Sequence, residues 1–138
     1  MTPRVELAIQ KFKSGYNCCQ AIICTYCDLV DMSEEEAFRV SEGFGGGMAG
    51  MGLTCGAVTG MYMVLSLASS KGDLQNPRET KMATYKLIQE ATMKFENKNG
   101  SITCSELKGQ MTGKPLRSCI GCVEDAATIL DEYFKARL

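Results

Sequence analysis

The sequence predicts an all-α protein: a single-domain bundle of about five to six helices, with a glycine-rich loop ahead of a buried central helix. Three observations carry this expectation. Apolar residues recur at helical spacing in most segments, no stretch alternates as a strand does, and capping residues precede the periodic runs. At 138 residues, 45% hydrophobic and 22% charged, the chain suits one core, so residues 1–138 are read as one cysteine-rich domain.

The first helix is expected from Pro3 to Ser14, with Val5, Ala8, Ile9 and Phe12 inward and Gly15 as its stop. Asn17 can cap a second helix that runs to about Val30. Ser33 and Glu36 form an S-x-x-E capping pattern for a shorter third helix that ends near Gly43. The glycine- and methionine-rich run Gly43 to Gly52 follows. Thr54 is expected to cap a helix from Cys55 to about Ser69, apolar nearly all round and therefore central. Asn76-Pro77 predicts the start of a long helix carrying Met82, Tyr85, Ile88 and Phe95 inward to about Asn97. A short turn or helix is expected at Cys104–Leu107, a loop at Gly109–Lys114, and a last helix from about Cys119 to Ala136.

A net charge of −1 without a dense Lys/Arg run argues against nucleic acid as partner. The most apolar stretch, Ala57 to Ala68, falls short of the roughly 20 residues that span a bilayer, so no membrane partner is expected. The opening Met1-Thr2-Pro3-Arg4-Val5-Glu6 turns amphipathic at once, which points to the cytoplasm and to reduced thiols. With eight cysteines, that favours redox chemistry or metal binding over structural disulfides. The absence of histidine excludes Cys-His and Ser-His dyads and Cys/His zinc fingers. An apolar, methionine-rich central helix suits a homodimer and a monomer core alike.

Four cysteines share a local address: Cys18 after Asn17, Cys55 after Thr54, Cys104 after Thr103 and Cys119 after Ser118. Each is expected in the first turn of a helix, where free N–H groups and the macrodipole favour a thiolate. The bland alternative is that cysteine is a small buried hydrophobe, but filler should fall mid-helix on apolar faces. Cys122 forms C-x-x-C with Cys119 at a helix start, an arrangement used by dithiol oxidoreductases, although a thioredoxin-like motif would want a βαβ context. Cys24 and Cys27, mid-helix, are filler or an auxiliary ligand pair; Cys19 points about 100° away from Cys18.

Gly45 to Gly50 spells G-x-G-x-x-G, but a helix precedes it, which excludes the dinucleotide reading. Two readings stay open. Gly45, Gly46, Gly47 and Gly56 form a backbone nest that binds an anion or cluster sulfides beside Cys55, or the glycines let the loop cross the central helix closely. Most of the nine methionines are read as core, with a soft-metal role for Met48, Met51, Met61 and Met63 as the minority reading.

These segments resemble the C-GCAxxG-C-C family of redox-active proteins over most of the chain. The likeness rests on Gly15-Tyr16-Asn17-Cys18-Cys19-Gln20-Ala21, on Gly45-Gly46-Gly47-Met48 through Cys55-Gly56-Ala57-Val58-Thr59-Gly60, on Ser101 to Leu107 around Cys104, and on Cys119 with Val123-Glu124-Asp125-Ala126-Ala127. One departure is plain: Cys55-Gly56-Ala57 stands where the family core reads Gly-Cys-Ala. Cys19, Cys24, Cys27 and Cys122 lie outside the pattern. Similar segments occur in a split-Soret type cytochrome, where the resemblance implies an iron–sulfur centre. Without histidine or C-x-x-C-H, a c-type haem is excluded here.

The sequence thus predicts a redox site at Cys18, Cys55, Cys104, Cys119 and Cys122. It would act as thiol–disulfide groups, or through an iron–sulfur cluster on Cys18, Cys55, Cys104 and Cys119, with a redox partner that is not readable. Alternatives from other classes are a closed zinc site with four cysteine ligands, structural or for storage, and a helical interaction module.

Overall fold

Seven α-helices and two 3-10 turns make up the regular structure in the computed structural model, which describes residues 1–137. No strand occurs among the described residues; one isolated antiparallel bridge joins Thr54 to Thr103. The count exceeds the expected five to six because Cys104–Leu107 closes a full helical turn.

Helix α1 (Pro3–Lys13) starts with proline in its first turn, and the Thr2 hydroxyl accepts the Val5 N–H. Helix α2 (Cys18–Tyr26) is opened by a reciprocal capping box. Asn17 Oδ1 accepts the Gln20 N–H at 2.8 Å, and Gln20 Oε1 accepts the Asn17 N–H at 3.0 Å. The chain tightens into a 3-10 turn over Cys27–Val30 and stops at Asp31, which is left-handed at φ 56°. Helix α3 (Glu34–Ser41) is capped by Ser33, whose hydroxyl accepts the Glu36 N–H.

Helix α4 (Gly56–Ser69) lies at the centre, in contact with α2, α5 and α7. Its broadest contact is with α2, and two glycines one turn apart make it. A Cβ at Gly60 would stand 2.9 Å from the Cys19 carbonyl oxygen and 2.9 Å from Ile22 Cβ. A Cβ at Gly56 would overlap the Cys18 sulfur and stand 2.9 Å from the Phe44 carbonyl oxygen. The backbones of α2 and α4 therefore meet where only glycine fits.

Helix α5 (Lys81–Asn99) begins four residues later than the Pro77 start the sequence suggests. Residues 73–79 instead form turns, with the Asn76 N–H on the Asp73 carbonyl and the Glu79 N–H on the Asn76 carbonyl. The expected inward face holds in part: Met82 is 71% and Tyr85 52% exposed, Ile88 is half-buried against the core, and the buried residues are Ala91, Phe95 and Asn99. Helix α6 (Cys104–Leu107) is a single turn. Helix α7 (Cys119–Lys135), capped by Ser118, packs on α1, α2, α4 and α5 and buries Val123, Ala126, Ala127 and Leu130. Buried Tyr26 ties α2 to α7: its hydroxyl donates to the Ala127 carbonyl and to Asp131, and its ring stacks on half-buried Phe134.

Candidate functional site

The starts of α2, α4, α6 and α7 face one another across a cavity of about 130 Å³. Cys18, Cys55, Cys104, Cys119 and Cys122 all line it. Cys55, Cys104 and Cys122 are buried, while Cys18 and Cys119 are half-buried. Every thiol in the expected redox set is thus brought to one place, and all eight cysteines are free.

Local backbone explains the convergence. Cys18 is the first residue of α2, fixed by the Asn17 box, and Cys119 is the first of α7, behind the Ser118 cap. Cys55 differs from expectation. Thr54 does not cap α4, because it pairs with Thr103, and Cys55 is itself the N-cap residue. Around that bridge the Cys55 N–H donates to the Ile102 carbonyl at 2.7 Å and the Cys104 N–H to the Leu53 carbonyl at 2.6 Å. The bridge holds the starts of α4 and α6 side by side, two segments far apart in sequence.

The glycine segment serves both readings left open by the sequence, at different residues. Gly46 and Gly56 line the cavity, and the Gly46 N–H pulls the Cys18 thiol downward. Gly47, at φ 71°, is a matter of close approach: a Cβ there would stand 2.5 Å from Cys104 Cβ and 2.7 Å from the Leu53 nitrogen. Gly45 packs against the Asn17 side chain, 2.6 Å from where a Cβ would stand.

Electrostatics separates the thiols. Cys55 is drawn down to about 7. The largest cause is the neighbouring Cys122 thiol; the Val58 and Ala57 N–H groups and the Lys108 charge help, against the cost of burial. Cys122 is pushed far up by the neighbouring Cys55 and by burial. Cys18 is raised by burial and by the nearby Cys55 and Cys119, in spite of the Gly46 N–H. Cys104 is raised by burial, with Lys108 opposing. For Cys18 and Cys104 the structure therefore reverses the expectation that a helix start favours the thiolate. Desolvation outweighs the few N–H groups there, and α6 is too short to carry a sizeable dipole.

Two cations border the cavity, and the sequence reading passed over both. Arg117 is held by Asp125 (Nε to Oδ2, 3.0 Å) and by Glu124 (3.3 Å), and buried Asp125 also takes Lys98 at 2.6 Å. Lys108 is exposed and pairs with no carboxylate among the described residues. A lysine directly after the fourth residue of a short helix carries no sequence signal that it will face thiols from three other helices.

The remaining cysteines lie elsewhere. Cys19 is buried with its sulfur 4.0 Å from Met63 Sδ, and Cys24 and Cys27 direct theirs at carbonyl oxygens of Glu34 and Cys24. The methionines considered as soft-metal donors do not line the cavity.

Thiols of this kind suit zinc or an iron–sulfur cluster, which needs about four thiolates around one point. Among the described residues, however, no three His, Cys, Asp or Glu side chains are gathered closely enough to hold a metal ion. The five sulfurs line a cavity without closing on a common centre.

A family model described as "Putative redox-active protein (C_GCAxxG_C_C)" matches residues 16–133. The chain belongs to that family. The C_GCAxxG_C_C match spans all five cavity cysteines and the glycine segment. An uncharacterized protein of Archaeoglobus fulgidus is 31% identical over 121 residues, covering 77% of this chain and 80% of that protein. No solved structure matches significantly. No helix among the described residues is long and apolar enough to cross a membrane.

Proposed function

We propose that this protein is a thiol–disulfide redox protein in which Cys55 is the attacking thiolate and Cys122 the resolving thiol. The observation that carries this reading is that Cys55 and Cys122 line one cavity, where the neighbouring Cys122 thiol and the N–H groups of Val58 and Ala57 draw the Cys55 thiol down to about 7. A thiol that ionises near neutral pH, with a second thiol in the same cavity, is what disulfide exchange requires.

In the reducing direction, the Cys55 thiolate attacks one sulfur of a substrate disulfide. The substrate S–S bond breaks, and its electron pair leaves with the other sulfur, which takes a proton from water. Cys122 then gives up its proton and attacks the Cys55 sulfur, expelling the first substrate sulfur, which takes up that proton to leave as a second thiol. The substrate gains two electrons and two protons, and the protein ends with a Cys55–Cys122 disulfide. Both thiols line the same cavity, so the second step stays within it.

Stepwise oxidation of the reduced full chain with a small neutral disulfide such as dimethyl disulfide, followed by peptide mapping, tests the proposal. A Cys55–Cys122 linkage is expected, and Cys55→Ser should prevent it. Oxidised protein that keeps these two thiols free would overturn the reading.

The iron–sulfur reading keeps one supporting observation, the five-sulfur lining of the cavity. Iron and visible absorbance in anaerobically isolated protein, both lost in Cys18→Ser and Cys119→Ser, would put it first. Zinc lost in the same variants would put the closed metal site first.

A further inference from the structure

The cavity is small, and its wall holds more sulfur than disulfide exchange uses. At about 130 Å³ and open on one side, it takes only a small molecule or the tip of a larger one. Cys55 is only 6% exposed, so a disulfide borne by a folded protein cannot reach its sulfur without unfolding one partner or the other. Of the five thiols, Cys55 and Cys122 suffice for exchange, which leaves Cys18, Cys104 and Cys119 without a task.

Charge narrows the choice further. Arg117 is already neutralised by Asp125 and Glu124, whereas Lys108 borders the same space without a carboxylate partner among the described residues. No carboxylate belongs to the cavity lining. A small guest therefore meets sulfur, the apolar surfaces of Phe12 and Leu107, backbone at Gly46 and Gly56, and one unpaired positive charge.

We infer that the cavity accepts a small anionic sulfur compound with a transferable sulfur atom, that Lys108 recruits its charge, and that Cys55 takes the sulfur. This rests on the assignment of Cys55 as nucleophile and Cys122 as resolving thiol. With thiosulfate, the Cys55 thiolate attacks the outer sulfur. The S–S bond of thiosulfate breaks, sulfite leaves with the electron pair, and Cys55 carries a persulfide. The Cys122 thiol then loses its proton and attacks the Cys55 sulfur, and the outer sulfur departs as hydrosulfide, which keeps that proton. Thiosulfate is reduced to sulfite and hydrosulfide while the two cysteines are oxidised to a disulfide, with no other reagent. Before Cys122 attacks, a thiolate of Cys18, Cys104 or Cys119 in the same lining can attack the outer sulfur of the Cys55 persulfide, which releases the Cys55 thiolate and leaves the persulfide on the second cysteine.

The experiment is a single turnover of fully reduced full-length protein with thiosulfate, reading sulfite release and peptide masses. Wild-type protein should release sulfite and form the Cys55–Cys122 disulfide. Cys122→Ser should stop earlier, with one extra sulfur atom on Cys55. Lys108→Met should raise the half-saturating thiosulfate concentration about two- to fivefold, as loss of one exposed charge contact would, with Lys108→Arg restoring it. Dimethyl disulfide, which carries no charge, should show no such shift in half-saturation. If dimethyl disulfide oxidises Cys55–Cys122 but thiosulfate releases no sulfite, the sulfur-transfer inference fails and the redox reading stands. If neither reagent oxidises the pair, both fail. An equal change for both reagents in Lys108→Met would remove Lys108 as the recruiting charge.

Discussion

Two C-x-x-C pairs occur in this chain, Cys24 with Cys27 and Cys119 with Cys122, and their surroundings have little in common. The first lies in the second half of α2 and in the 3-10 turn after it, where the sulfurs face carbonyl oxygens and the Glu34 carboxylate is near. Burial first, and then Glu34, push Cys24 up to about 11 against the pull of Lys11. The second lies at the start of α7, and its Cys122 meets a sulfur from another helix and drives Cys55 the opposite way. Spacing alone thus says little about a thiol. What decides is whether donors or acceptors stand opposite the sulfur, and whether burial leaves it any partner.

The sharpest test of that contrast is alkylation of the reduced protein at pH 7. Cys55 should react about a hundredfold faster than Cys24, since its larger thiolate fraction outweighs the lower intrinsic nucleophilicity of a more acidic thiol. Site-resolved mass spectrometry reads this directly, and equal rates would erase the distinction. Cys55 labelling should rise through pH about 7, whereas Cys24 should stay slow until the solution approaches about 11. The same shifts act on stability with opposite signs. The Cys55 anion favours the fold above the free-thiol range near ~8.5, and that contribution fades as pH falls through about 7. Burial of neutral Cys24 and of Cys19, which is raised to about 12, favours the fold below the free-thiol range and is lost as pH climbs toward those values.

Next in size is the buried carboxylate that anchors Arg117 beside the cavity. Asp125→Ala should cost about 2–3 kcal/mol in denaturant unfolding, since two cations lose their charge-assisted partner although both retain some solvent. Gly56→Ala should cost about 2 kcal/mol through overpacking and should also alter Cys18 reactivity, because the new methyl overlaps that sulfur. An unchanged Cys18 labelling rate in this variant would separate the glycine from the site. The smallest effect is expected of Asn17→Ala, about 1 kcal/mol from the lost cap of α2. Thermal unfolding of that variant against Ser33→Ala, which removes a cap remote from the thiols, would show whether the site end is the more sensitive.

The helical class, the Asn17, Ser33 and Ser118 caps and the central place of α4 were legible because each is a local pattern of two to four residues. Thr54 misled because its partner, Thr103, is remote in sequence; the bridge that sets Cys55 against Cys104 has no local trace. Pro77 misled in a related way. It satisfies the rule for a helix start, but turns through Asp73, Asn76 and Glu79 use those backbone groups first. The identity of the site cysteines could be read from their place after capping residues, whereas the pairing of Cys122 with Cys55 and the nearness of Lys108 could not. Both depend on how α4, α6 and α7 meet, and in the linear chain nothing marks the glycines at 56 and 60 as the ones that permit the α2–α4 contact.

The Arg117–Asp125 ion pair joins a residue ahead of α7 to the second turn of that helix, and Cys119 and Cys122 lie between its ends. Helix ends ordinarily fray, yet unwinding here would have to break a contact with a carboxylate that is itself buried. The pair acts as a clasp on this terminus, so backbone amides at residues 122–124 should exchange with deuterium on the slow schedule of the middle of α7. A redox centre set where a helix would usually come loose thus gains a fixed foundation from residues that take no part in its chemistry.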